Sequence, residues 1–464
     1  MKEFFYKYSD REDLTAIRTD SESFSYKNIF ELSEKIARNI NSIISIQQKY
    51  IPIVSSNSSQ FIITTVALWN LGLVPVPLNT RWTEKEISDV IFNNNFEVIL
   101  FEKEFSNKLN SLRIKKFSFD DLFNFSSESF QKKTNDETVV IFTSGSSAQP
   151  KGVVHTFDSL ANSILNGSKI LNHSTGDRWL ASLPFYHIGG FQIICRALSS
   201  GCEIIIPTDL RIESIKKTMS KFKPTHISLI AAQLKKLIEE NTIPDETLKV
   251  CLIGGGFSED NLLIEAARNG WNPIRVYGST ETASFVTAAN AKEIITKSNT
   301  VGRAVDNVRI KISSEGEILI STKSLFKNYQ NDEKATDNKI KNEFYHSGDL
   351  GKLDKEEYLF VEARRTDLIV SGGENINPIE VENALFKIPS IKEACVFPIQ
   401  DEYWGQIVAA ALVTVGIIDE EYLKNELKKN LASFKIPKKY FFVDELPKTP
   451  LGKIERDKVR KMFV

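Results

Sequence analysis

At 464 residues, with 41% hydrophobic and 26% charged side chains, the chain has room for two or three domains around an ample core. Lys+Arg of 59 against Asp+Glu of 60 leaves a net charge of −1, which argues against a nucleic-acid or other polyanionic partner. The charged start "MKEFFYKYSDRED" has no apolar leader, no run approaches the roughly 18 apolar residues of a membrane span, and Cys195, Cys202, Cys251 and Cys395 fall in no CxxC or Cys/His spacing, so the expectation is a cytoplasmic, reduced enzyme without membrane insertion.

Along the chain, strand-like runs alternate with helix-like ones. "YIPIV" precedes a Ser/Asn turn and the helical "SQFIITTVALWNLG". Then come "LVPVPLN", "TVVIF", "WLASLPF", "CEIIIP", "HISLI", "KVCLIGG" and "IRVYG", with amphipathic "IESIKKTMSKF" and "AAQLKKLIEEN" among them. All-apolar strands alternating with helices predict an α/β fold of mostly parallel, helix-covered sheets, with its sites beyond the carboxyl ends of the strands. After about Thr300, "VRIKISSEGEILIST" reads as a small β subdomain built on a Glu-Gly turn. From Asp367 onward a strand, a Gly-Gly loop and a Pro-initiated helix open a compact α+β module. The predicted division is 1–365 for the large N-terminal domain and 366–464 for a small, mobile C-terminal domain.

Several loops carry chemically suggestive residues. "TVVIFTSGSSAQPKG" runs a strand into Ser144, Gly145, Ser146, Ser147 and Lys151, which suits a polyphosphate or a plain surface turn. It is not a P-loop, because Pro150 replaces the second Gly and Gly152 the Ser/Thr. In "LPFYHIGG", His187 reads as structural or, given the room left by a Gly pair, as facing a ligand. "KVCLIGGGFSED" ends a strand in Gly254, Gly255 and Gly256, with Ser258 expected as a helix N-cap. In "RVYGSTET", Tyr277 could stack on a base and Glu281 hold a Mg2+, or the segment is a capped turn. "YHSGDL" sets Asp349 in a tight turn, and "PKTPLGKIERDK" sets Lys453 after a Pro-Leu-Gly turn in what is otherwise a solvated basic tail.

Taken in order, "TSGSSAQPKG", "LPFYHIGG", "YGSTET", "GEILI", "YHSGDL", "RRTDLIVSGGENINPIEVE" and "PKTPLGKIER" resemble the adenylate-forming acyl-CoA synthetase superfamily over essentially the whole chain. A narrower likeness, carried by "VPLNTRWT", "LPFYHIGGFQIICRAL", "YGSTETASFVTA" and "DEYWGQ", is to its 2-succinylbenzoate–CoA ligase branch in menaquinone biosynthesis. Other aryl- or fatty-acyl-CoA ligases and carrier-protein-loading enzymes are the alternatives. The resemblance implies ATP, Mg2+ and CoA, with a small-molecule carboxylic acid as partner; a homo-oligomer stays open.

The resemblance also assigns roles. Thr143, Ser144, Gly145, Ser146, Ser147 and Lys151 would hold the β- and γ-phosphates. Gly254, Gly255, Gly256, Tyr277 and Gly278 would frame adenine. Thr280 would contact the α-phosphate, Glu281 the Mg2+, and Asp349 with Arg364 the ribose. Lys453 would bridge the acyl carboxylate and the α-phosphate, and Thr366 would be the domain hinge. Ser371, Gly372 and Gly373 would line the pantetheine channel. His187, Gly190, Ser279 and Ser284 would meet the acyl group, with Arg81 and Arg196 as further candidates. Three departures from the family pattern are Ser146-Ser147-Ala148 in place of Thr-Thr-Gly, Ala363 in place of Gly, and Thr366 in place of Asp or Lys.

Overall fold

The computed structural model describes residues 12–43, 48–124, 131–143, 150–364, 369–371, 374–401, 405–431, 433–449 and 452–464. The chain forms two compact units, one of Met1–Arg309 with Ile320–Tyr345, the other of Ile310–Leu319 with His346–Val464.

The first unit holds two largely parallel sheets and a third that is antiparallel. In the nine-stranded sheet, Arg178–Leu180, Glu203–Ile205, His226–Leu229, Val250–Ile253 and Pro273–Ser279 run parallel, and Ser284–Asn290 returns antiparallel beside the last of them. The apolar runs of these strands are buried on both faces. Leu180, Ile227, Cys251 and Ile253 pack under Ile215, Leu234, Leu237 and Leu263 of the covering helices. Each fully buried Leu or Ile in this layer contributes about 1.5–3 kcal/mol relative to an exposed one. On the other face lie the helices Phe157–Leu171 and Ile188–Ser200. The first begins at a capping box in which Thr156 and Ser159 satisfy each other's amides, and it ends at Asn172 in the left-handed region. Its Gly167 lets Phe285 approach to where a Cβ would be 2.7 Å from the ring.

Val74–Pro77, Tyr50–Val54, Val98–Phe101 and Lys115–Ser118 make the second, fully parallel sheet. The helix Ser59–Asn70, capped by Ser58, has apolar residues all round and is buried along nearly its whole length, as expected for an interior helix.

The strand "TVVIF" is present as Glu137–Thr143, but its neighbours are not parallel. It pairs antiparallel with Lys151–Thr156, which pairs antiparallel with Asn328–Tyr329. An all-apolar run of this kind predicts a parallel strand covered on both faces. Its burial comes instead from Val140, Phe142 and Val154 packing on the four-stranded sheet.

In the second unit, Glu374–Ile376, Ile369–Ser371, Gly405–Thr414 and Ile391–Asp401 form a sheet, with Lys439–Phe442 added parallel to Gly405–Thr414. One face packs Val396, Val408 and Leu412 against Val381, Leu385 and Leu423 of two helices. The other packs Phe397, Ala409 and Ala411 against Val459 of the last helix, Arg456–Phe463. The Pro-initiated helix is Pro378–Leu385, with Asn377 accepting the Ile379 amide as N-cap. The mixed α/β character of the large part and the α+β character of the smaller one agree with the expected fold class. Among the described residues no helix is long and apolar enough to cross a membrane. All four cysteines are free and buried, behaving as small hydrophobes.

Candidate functional site

The loop of the first motif closes an antiparallel hairpin, with Thr143 opposite Lys151. Ser144, Gly145, Ser146, Ser147 and Ala148 lie outside the described residues, and Thr143 and Lys151 flank them. A side chain at Gly152 would meet Gln330 Oε1 and Val140 Cγ1 at 2.9 Å, which is why the residue after the lysine is glycine. Lys151 Nζ lies 3.2 Å from Asp332 Oδ2 and 5.4 Å from the centre of the Tyr329 ring. Asp332 caps the helix Glu333–Lys339, and the Ala335 amide, then Lys151, hold its carboxyl below the usual range.

Tyr329 continues the line. Its hydroxyl donates to Glu281 Oε1 at 2.7 Å, and burial, with the Glu281 charge beside it, pushes the phenol pKa up, so it stays a donor. Glu281 sits in the tight turn Thr280–Thr282, whose Thr280 carbonyl accepts the Nε2–H of His155 at 2.8 Å. His155 is fully enclosed, with Nδ1 3.1 Å from Ser159 Oγ, and burial pushes its pKa down to about 4. A cation, a carboxylate, a phenol and a neutral imidazole thus form one continuous series from Lys151 through Glu281 to the Thr280 backbone. Tyr329, Asp332 and His155 did not stand out in the sequence. Tyr329 sits in a two-residue strand, and Asp332 carried only the weak signal of an acidic residue before a helical run.

The expected adenine-side residues meet at neighbouring strand ends. Gly254–Gly256 follow Val250–Ile253, and Tyr277 lies at the carboxyl end of the adjacent strand Pro273–Ser279. A Cβ at Gly254 would lie 2.9 Å from Val276 Cγ2, and Gly255 has φ +81°. Ser258 is not an N-cap. Glu259 takes that place, and Ser258 is buried with its Oγ and carbonyl accepting from Arg275 at 3.1 and 2.6 Å. A buried guanidinium in need of acceptors competes with the helix end for that serine.

Beyond Gly278 and Ser279 the backbone is strained. Ala283 and Ser284 take φ of +57° and +111°, and a Cβ at Gly278 would fall 1.9 Å from Ser284 O. The Ala283 carbonyl accepts from Ser163 and Gln192, each at 2.8 Å, and Ser284 Oγ accepts from Arg196 Nη2 at 3.2 Å.

His187 is the N-cap position of Ile188–Ser200, with no side-chain capping bond. Tyr186 lies against its ring, and burial together with the Arg81 cation brings its pKa down to about 4. Gly190 does not leave room for a ligand as expected: a Cβ there would sit 2.1 Å from the Pro184 carbonyl oxygen, so this glycine serves close backbone packing.

In the second unit Asp349 stands opposite Arg364 across two antiparallel strands, which brings the two expected ribose residues together. The Gly348 amide in the same turn donates to Glu317 Oε1 at 2.9 Å. Lys453 is exposed on a tight hairpin whose Thr449 amide donates to the Lys453 carbonyl at 2.7 Å and whose Gly452 takes φ +75°. Ser371 is buried in its sheet; Gly372, Gly373 and Thr366 lie outside the described residues, as does the Arg364 side chain. Among the described residues no three His, Cys, Asp or Glu side chains converge as a metal cage.

The sequence profile of the AMP-binding enzyme family matches residues 4–330, and that of the AMP-binding enzyme C-terminal domain matches 380–453. A 2-succinylbenzoate–CoA ligase of Bacillus cereus (strain Q1) is 30% identical over 468 residues, covering 97% of this chain and 96% of that one. Among solved structures, the o-succinylbenzoate CoA synthetase of Bacillus subtilis in complex with the acyl-adenylate intermediate OSB-AMP superposes with a TM-score of 0.92 at 26% identity, covering 99% of this chain and 98% of that one. The same enzyme with ATP and magnesium ion gives 0.92 at 27% identity, covering 99% of both chains.

Proposed function

The chain belongs to the AMP-binding enzyme family, and from that premise we propose that it joins 2-succinylbenzoate to CoA in two steps driven by ATP. The observation that carries the adenylation step is the series Lys151–Asp332, Tyr329–Glu281, Thr280–His155 within the first unit. The relatives and neighbours, which are named for 2-succinylbenzoate, support the choice of acid.

In the first step a carboxylate oxygen of the acid attacks the α-phosphorus of ATP, and the bond from that phosphorus to pyrophosphate breaks. Lys151, with Thr143 and Ser144–Ser147, receives the β- and γ-phosphates, exchanging its Asp332 partner for them. Gly254–Gly256, Tyr277 and Gly278 frame the base; Asp349 and Arg364 hold the ribose; Thr280 meets the α-phosphate. The Lys453 ammonium lies between carboxylate and phosphorus, where negative charge accumulates, and stabilises it electrostatically. In the second step the CoA sulfur attacks the acyl carbon and AMP leaves, with Ser371–Gly373 along the pantetheine arm and 366–464 turning about Thr366 between steps. His187, neutral at pH 7, and Ser279 and Ser284 face the acyl group. Free, buried cysteines suit a reducing cytoplasm.

Mg2+ takes few protein carboxylates and keeps phosphate oxygens and water as its other ligands, and Glu281 with one oxygen fixed by Tyr329 fits that donor set. When bound, the ion neutralises the phosphate oxygens and lowers the barrier to losing pyrophosphate. Tyr329→Phe removes the hydroxyl that orients Glu281. The Mg2+ concentration that half-saturates ATP binding, followed by titration calorimetry, is expected to rise about tenfold; an unchanged value would remove Tyr329 from this role.

A panel of carboxylic acids assayed for ATP-dependent pyrophosphate release and then for thioester formation tests the reading. 2-Succinylbenzoate is expected to lead, with AMP release dependent on free CoA. Faster turnover of a fatty or simple aryl acid, or AMP release only with a carrier protein, would replace it.

A further inference from the structure

Two ion pairs hold the two stems of the Lys453 hairpin. On the outgoing stem, Arg456 Nη2 donates to both carboxylate oxygens of Glu382, at 2.8 and 3.0 Å. Glu382 belongs to the helix Pro378–Leu385, and its Oε1 also accepts the Val396 amide of the strand Ile391–Asp401, at 2.8 Å. On the incoming stem, Lys448 pairs with Glu393 of that same strand. Lys448 and Ile454 bridge the stems, and the Glu455 amide donates to the Pro447 carbonyl at 2.9 Å, so the hairpin moves as one closed piece with Lys453 next to the bridge.

Leu446 and Ile454 seat this piece in the cluster that holds Cys395, Phe397 and Ala409. Apolar packing resists separation, but it is non-directional and sets no angle. A guanidinium bound to both oxygens of a carboxylate is fixed in angle as well as in distance. The Arg456 and Glu382 side chains are 24% and 13% exposed, so water screens them less than Lys448 and Glu393, at 38% and 29%. A pair that served stability alone would be replaceable by apolar side chains at little cost. The cluster already supplies cohesion here, and what the pair adds is geometry.

We infer that Glu382 is a positioning residue for adenylation, setting through Arg456 the direction in which the hairpin presents Lys453. This rests on the proposed place of the Lys453 ammonium between carboxylate and phosphorus. Stabilisation of developing charge depends on exact placement, and an error on the order of 1 Å can cost about 10²-fold. The thioester step makes no such demand on Lys453, so the pair matters to one half-reaction and not to the other.

The test measures both half-reactions of the full-length enzyme: pyrophosphate release with the acid it turns over fastest, and thioester formation from the supplied acyl-AMP and CoA. Glu382→Gln keeps an acceptor for the Val396 amide. Its kcat for pyrophosphate release is expected to fall about tenfold, with KM for ATP and the thioester rate each within about twofold of the unmodified enzyme. Arg456→Gln should show the same pattern, and the double variant should lose no more than either single one. Equal losses in both half-reactions, additive losses in the double variant, or an unchanged pyrophosphate rate would overturn the inference. Lys453→Ala in the same assays separates premise from inference. If it does not depress pyrophosphate release selectively, the reading of Lys453 falls; if it does and Glu382→Gln does not, only the positioning role falls. Should Glu382→Gln fail to fold, Arg456→Gln decides the matter on its own.

Discussion

Replacement of Lys453 by Ala is expected to lower ATP-dependent pyrophosphate release by a factor on the order of 10²–10³ while acyl-AMP supplied directly is still converted to thioester at a rate within a few-fold of the unmodified enzyme. The asymmetry follows from where charge develops. The attack on phosphorus gathers negative charge on the phosphoryl oxygens, and a positioned ammonium acts there. The attack of sulfur on the acyl carbon expels AMP and makes no comparable demand on it. The substitution is also structurally mild. Lys453 is exposed, and its hairpin is closed by backbone bonds among Thr449, Gly452 and Lys453 that do not involve the ammonium. Measuring the two half-reactions separately on one preparation checks it, and equal survival of both would remove Lys453 from the adenylation step.

The second large effect is on stability. His155 has a folded pKa of about 4 against an ordinary 6.5, because burial disfavours its charged form. Between those values the unfolded chain binds a proton that the folded chain refuses, so stability is full above pH 6.5 and is lost as pH falls toward 4. For this one fully enclosed ring the loss is on the order of 3 kcal/mol by pH 4. His173, also brought down to about 4 by burial and then by Arg196, and His226, lowered by burial, act in the same direction. Thermal melting between pH 7 and pH 4 should therefore show a steep decline. His155→Gln keeps an N–H for the Thr280 carbonyl but cannot titrate, and it should flatten the slope. An unchanged slope would place the acid sensitivity elsewhere.

The sequence was most legible where a single segment decides its own fate. Apolar runs such as "VCLI" and "HISL" are strands, "SQFIITTVALWN" is a helix, and Pro378 starts a helix behind Asn377, because burial and capping are local properties. Partnership was less legible. The run at Glu137–Thr143 is equally apolar whether its neighbour runs parallel or not, and only tertiary packing decides. The same limit applies to the site. Glu281, Lys151 and Tyr277 were singled out by their loops, but Asp332 lies 181 residues from the lysine it pairs with and Tyr329 lies 48 from the glutamate it orients. Ser258 misled because it sits where a cap belongs, while its actual partner, Arg275, is reached only through the sheet.

The fit of Gly278 against Ser284 bears on how such an enzyme can change its diet. A methyl group at 278 would collide with backbone, not with a movable side chain, and Ser284 is already at a conformation few residues tolerate. Drift along this strand edge is therefore blocked in both positions. The helix Ile188–Ser200 is under no such constraint at Gln192 and Arg196, whose side chains reach the turn from outside it. With Ser284 beside the acyl group as proposed, exchange of these two helical side chains beneath an unaltered backbone is the open path toward new acids.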